Sequence, residues 1–292
     1  MKIAAHIGFH ATDADQLLAS LRKSRRLFTR EGIALPPANT YRTLLVETMK
    51  LLRGQPAAPE TEDMLIDAMV GTETPERLIL SYDKFTCAIS NVFMKGELYL
   101  RAPEKITWLR NCFPSHEVEF YMALRNPATF IPSLMKLPRN PIPYTEMLHG
   151  ARPEDMRWLH TISNIRAANP DVPLTIWAYE DLPLIWTELL REIAGLPPMT
   201  PVMGSFDGIR QIMEPEGMAR LRAYLSEIQM ANELQLRRVL SAFLDKYANS
   251  DALEEEIDLP GWDHALVDQV TETYEDDLLE IARLPGVNVI TP

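Results

Sequence analysis

Long apolar runs are missing from this chain. Although 46% of its 292 residues are hydrophobic, no stretch is long enough to cross a bilayer, and the apolar start at residues 3–7 is too short for a secretory signal. No integral membrane segment is expected. Cysteine is scarce as well: Cys87 and Cys112 stand alone, which excludes a disulfide framework, argues against a metal site and points to a reducing cytoplasm. Lysine and arginine are absent between residues 246 and 283, where 12 aspartates and glutamates fall. Removing these from the 41 acids of the chain leaves 29, equal to the 29 bases, so the net charge of −12 belongs to the C-terminal segment. Such a balance speaks against nucleic-acid partners. A charge run of this kind is a solvated helical face or, with the basic run Arg22, Lys23, Arg25, Arg26 and Arg30, a surface for a protein partner.

What is present alternates between strand-like and helix-like segments. Residues 2–21, KIAAHIGFHATDADQLLASL, read as strand, loop and helix. In an α/β protein the first such unit usually makes a phosphate site, because a helix N-terminus offers free N–H groups and positive potential. This loop has one glycine, no lysine, and Asp13 and Asp15 where an anion would sit. Thr12 or Asp13 is a candidate cap for a helix running to residue 31.

Further strands are expected at residues 77–81, 118–124 and 172–179, and further helices at 41–52, 62–70, 103–112, 154–168 and 183–194. Pro132, Pro138, Pro141 and Pro143 make residues 125–144 read as an irregular loop, and residues 215–247 and 262–283 read as long helical stretches. The expected fold is α/β: a central, mainly parallel sheet with helices on both faces, continuous over residues 1–292, with a mostly helical part at 205–285. Ligands in such sheets bind beyond the carboxyl ends of the strands. That directs attention to residues 10–15, 81–84, 125–133 and 179–181.

The order of the strand ends, HIGFH, LILSYDKF, YMALRNPATFIPSLM and VPLTIWAYEDL, with DDLLEIARLPGVNVITP closing the chain, resembles bacterial sulfotransferases. The resemblance spans nearly the whole chain as short motifs. It implies a P-loop NTPase-like fold and transfer of a sulfuryl group from 3′-phosphoadenosine-5′-phosphosulfate (PAPS) to a hydroxyl of a glycan, lipid or small metabolite. It also implies that Arg125 and Ser133, at the family spacing, hold the 3′-phosphate of PAPS, a role suited to a planar guanidinium fork and a neutral donor. On the residues alone, Arg125 reads equally as a tether for the proline-rich loop. Asp83 falls near the family's general base, and is otherwise a turn or cap residue. His10, at the first strand end, is a candidate to donate to a phosphate when protonated, whereas His6 reads as a core residue.

The first loop departs from the family pattern of lysine, threonine, glycine, threonine, threonine, which here is Ala11, Thr12, Asp13, Ala14 and Asp15. Thr12 alone is kept. A carboxylate about 5 Å from a phosphate charge costs roughly 3 kcal/mol at an effective dielectric near 20, and the missing lysine removes a similar attraction. Two functions follow: a divergent PAPS-dependent transferase, or an inactive homologue serving as a nucleotide-binding or protein-interaction module. No metal is expected, because neither histidine gathers cysteines or paired carboxylates.

Overall fold

Strand Lys2–His6 (β1) sends Ile3 and Ala5 into one apolar core and Ala4 into another. This is the two-residue alternation of a strand buried on both faces. The computed structural model describes residues 1–12, 14–71, 73–137, 140, 142–228, 230–253 and 257–292. Expectations resting on Asp13, Pro138, Pro141, Glu254, Glu255 and Glu256 lie outside the described residues.

The other strands are β2 (Ile33–Ala34), β3 (Arg77–Ser81), β4 (Phe93–Met94), β5 (Glu97–Leu98), β6 (Glu117–Leu124), β7 (Leu174–Ala178) and β8 (Val287–Ile290). Six of them form one sheet in the order β2-β3-β1-β6-β7-β8. Every pairing within it is parallel, while β4 and β5 form a separate antiparallel hairpin. Register follows the apolar pattern: Ile3 lies between Leu78 of β3 and Val118 of β6, and all three face the first core.

Helices cover both faces, giving three layers. Ala38–Leu52, Pro59–Val70, Ala102–Arg110, Pro127–Lys136, Trp158–Ala168 and His264–Ile281 pack into the first core, which includes the fully buried Trp158 and Phe130. Each such side chain contributes about 1.5–3 kcal/mol by leaving water. Ala14–Lys23, Arg25–Arg30 and Leu182–Ala194 pack into the second. A third apolar cluster, built around Leu221, Leu236 and Leu240, joins helices Pro215–Glu227 and Glu233–Tyr247.

Three expectations about local structure are corrected. The helix expected to run from residue 12 to 31 is broken at Ser24, whose hydroxyl accepts from the Met203 N–H at 2.8 Å. The helical stretch 215–247 is two helices, the second capped by Asn232, whose side chain accepts from the Gln235 N–H at 2.9 Å. Much of the proline-rich span is helix Pro127–Lys136. Asn126 caps it, Pro127 sits in its first turn, where a missing N–H costs nothing, and the burial of Phe130, Ile131 and Leu134 outweighs the hydrogen bond lost at Pro132.

Helix His264–Ile281 is anchored near its C-terminal end by Asp277. This buried carboxylate accepts from Arg157 Nε at 2.6 Å and from the Leu159 N–H, in the first turn of helix Trp158–Ala168, at 3.1 Å. Asp277→Ala leaves both donors unpaired, and urea unfolding is expected to show a loss of about 2–3 kcal/mol. A change below about 0.5 kcal/mol, the usual size for a surface substitution, would contradict this anchoring.

Candidate functional site

The chain leaves β1 in the middle of the sheet, with β3 on one side and β6 on the other. Such a reversal of strand order opens a crevice beyond the carboxyl ends of the strands, where open α/β sheets bind ligands. The first loop, the segment after β3 and Arg125 after β6 converge there.

Arg125 joins them. Its buried guanidinium donates from Nη1 to the Ala11 carbonyl at 2.7 Å and from Nε to Thr129 Oγ1 at 3.1 Å, and lies 4.1 Å from the centre of the Tyr179 ring beyond β7. Its carbonyl accepts from Trp158 Nε1 at 2.8 Å. Ala11 adopts a left-handed backbone with φ of 56°, a conformation that costs a non-glycine residue about 1–2 kcal/mol. The bond from Arg125 holds it there.

Thr12 faces inward, its hydroxyl donating to the Phe9 carbonyl at 2.5 Å. Ser133 is half-buried on helix Pro127–Lys136, four residues after Thr129, so it shares that residue's helix face one turn further on.

His10 is fixed by Tyr99, whose hydroxyl accepts from the His10 backbone N–H at 2.9 Å and lies 2.8 Å from its Nδ1. Donation of the hydroxyl proton to Nδ1 uses all three groups and leaves the ring proton on Nε2, an atom that is buried without a hydrogen-bond partner among the described residues. Burial, aided by Lys84, lowers the His10 pKa to about 4. A ring expected to act as a charged phosphate donor is thus neutral near pH 7. His6 is a core residue, with Nδ1 2.9 Å from Ser81 Oγ, its ring stacked on Trp177, and a pKa lowered to about 3 by burial and by Arg42.

Asp83 is half-buried after β3. Burial raises its pKa and Asp15 adds to the rise, against Lys84 and Arg42. A carboxyl pushed in this direction suits a general base better than a solvated one does, and it lies within electrostatic reach of Tyr99 and Cys87. The Cys87 thiol is pushed up to about 12 by burial, which leaves it un-ionised and a poor nucleophile.

Arg42, like Tyr99, carries no signal in the sequence pattern. From helix Ala38–Leu52 it donates Nη2 to Asp15 at 2.6 Å and Nε to the Ser81 carbonyl at 3.1 Å, with its guanidinium 4.8 Å from the Tyr82 ring centre. Asp15 is therefore paired rather than exerting its full charge on the loop. Nothing in the local pattern around Arg42 signals this, because the contact spans 27 residues.

Beside Arg125, on the second-core side of the sheet, a cavity of about 270 Å³ is walled by Tyr179, Trp186 and Leu182, with Gln16, Gln211 and Glu180 as polar groups. Its size is close to the lower end for small-molecule sites. Glu180 is fixed by the Asn126 N–H at 2.8 Å and the Tyr274 hydroxyl at 2.9 Å. Ser133 lies on a helix of the first core, across the sheet from this cavity. Comparison with known protein families, curated proteins and solved structures gives no match to the chain.

The two buried histidines set a pH dependence. A histidine with a depressed folded pKa costs nothing above the unfolded value near 6.5, and stability is lost as pH falls through the window down to the folded value. From about pH 6.5 to about 4 each ring should contribute a slope approaching 1.4 kcal/mol per pH unit, the loss ending first at His10 near 4 and then at His6 near 3. Nitrogen-15 NMR of the imidazoles should show both neutral at pH 5.5, about 1 unit below the unperturbed value. A titration midpoint near 6.5 for either ring would contradict the burial argument.

Proposed function

We propose that the chain is a sulfotransferase-like protein of P-loop type that has lost sulfuryl transfer and keeps a nucleotide-binding crevice. One observation carries this reading: Arg125 donates to the Ala11 carbonyl, so the first loop is tied down by the arginine that the family uses for the cofactor's 3′-phosphate. Ala11 supplies no charge where the leaving phosphate of PAPS would need it, and Thr12 is turned to Phe9. The sulfate end of PAPS therefore does not fit this loop. Removal of even one positioned donor from such a site costs about 2.7–4 kcal/mol in the transition state.

The nucleoside end fares better. Arg125, stacked on Tyr179, adjoins the cavity that Tyr179, Trp186 and the two glutamines line. Flat aromatic walls with amide donors and acceptors suit a planar, neutral heterocycle. A cytoplasmic setting accords with the two free cysteines, and the separate basic and acidic surfaces are available to a protein partner.

A second reading, retained transferase activity towards a glycan, lipid or small-metabolite hydroxyl, draws on Arg42 and Asp83. Arg42 brings a cation to the helix that follows the first loop, and Asp83 has the raised pKa of a base. The pairing of Arg42 with Asp15 weighs against it.

Calorimetric titration with 3′-phosphoadenosine-5′-phosphate separates the two. The Ala11→Lys, Asp13→Gly, Asp15→Thr variant should bind this nucleotide at least about tenfold more tightly than the wild type, a gain of about 1.4 kcal/mol. The wild type should show no transfer from PAPS. Equal binding by both proteins would mean that the loop lies outside any nucleotide site, and robust turnover by the wild type would contradict the proposal.

A further inference from the structure

Two exposed surfaces of opposite charge remain unused by the crevice. Helix His264–Ile281 buries Val270, Tyr274, Asp277 and Ile281, spaced as one helical face. Asp268, Glu272, Glu275 and Leu279 repeat the same spacing on the opposite face. All four are exposed, Leu279 by 61%, and none of the three acids is in an ion pair among the described residues.

The complement lies around the break at Ser24. A groove of about 780 Å³ is lined by Lys23, Arg25, Arg26, Leu27, Pro201 and Met203, with no acidic residue. Met203 is 65% exposed. Lys23 is already held by Asp207 at 2.7 Å, but Arg25 and Arg26, with the neighbouring Arg22, are exposed and have no ion partner among the described residues.

These surfaces cannot meet within one chain. The acidic helix packs into the first core and the basic helices into the second, with the sheet between them. We propose that they meet between copies: the acidic stripe of one chain docks in the basic groove of the next, Leu279 beside Met203 and Glu272 and Glu275 against Arg25 and Arg26. Contact between two different patches is head-to-tail, so it extends to a ring or an open filament rather than stopping at a two-fold dimer. The net charge of −12 on each copy opposes approach at long range. At physiological salt this repulsion is screened beyond about 8 Å, leaving the local complementarity to decide.

Sedimentation velocity on the full chain tests this. At about 0.1 M salt the wild type should form dimers and larger species as its concentration rises to about 100 µM, and at about 0.5 M salt it should return towards monomer. Arg25→Glu with Arg26→Glu should weaken association at least about tenfold, as should Glu272→Lys with Glu275→Lys. Mixing the two variants should restore association, because each supplies the partner for the other's reversed surface. Unchanged circular dichroism shows that the variants fold, as expected for exposed positions. A wild type that stays monomeric throughout overturns the proposal, as does association that neither reversal weakens, or a mixture that does not recover. A monomer that instead binds phosphatidylserine-containing vesicles through Arg25 and Arg26 would assign the groove to a lipid surface and overturn the proposal too.

Discussion

The bond from Arg125 to the Ala11 carbonyl is the constraint on which the crevice depends. It crosses from the end of β6 to the loop after β1, and through the stacked Tyr179 ring it reaches the end of β7. A charged donor on a carbonyl is worth about 1.5–3 kcal/mol, enough to offset the left-handed turn at Ala11. Buried arginine is dehydrated at a cost, and it is retained where its donors are satisfied. Here they are satisfied by the protein itself, so a phosphate entering the crevice must compete with the loop for the same guanidinium.

The rest of the site follows from burial around that tie. Phe9, Tyr99, Phe130 and Trp158 pack together beneath the loop, and in that apolar setting the His10 ring stays neutral. Asp83 and Cys87, on the neighbouring segment, are held towards their protonated forms for the same reason. At the rim of the crevice Asp15 and Arg42 neutralise each other.

Much of the sheet was legible in the sequence because its central strands are apolar runs of the right length: IAAHI, RLILS, VEFYMAL and LTIWA announce themselves without any partner. The edge strands β2 and β8 were not, since two to four residues such as IA and VNVI carry too little pattern and are strands only because a neighbour pairs with them. Proline misled at residue 132, where packing of Phe130 and Ile131 outweighed the breaker. At the site, Arg125 was legible from its place at a strand end, but what it bonds was not. Tyr99 and Arg42 escaped notice because their contacts to the first loop span 89 and 27 residues, and no local spacing records a long-range hydrogen bond.

The central claim is that the first loop is closed by its own bonds. A crystal structure of the wild-type protein grown with 3′-phosphoadenosine-5′-phosphate tests it most directly. The account predicts that Arg125 Nη1 remains within hydrogen-bond distance of the Ala11 carbonyl, with any bound nucleotide placed towards Tyr179 and its 5′-phosphate outside the loop. A 5′-phosphate seated on the backbone N–H groups of the first loop, with Arg125 swung away from Ala11, would contradict it.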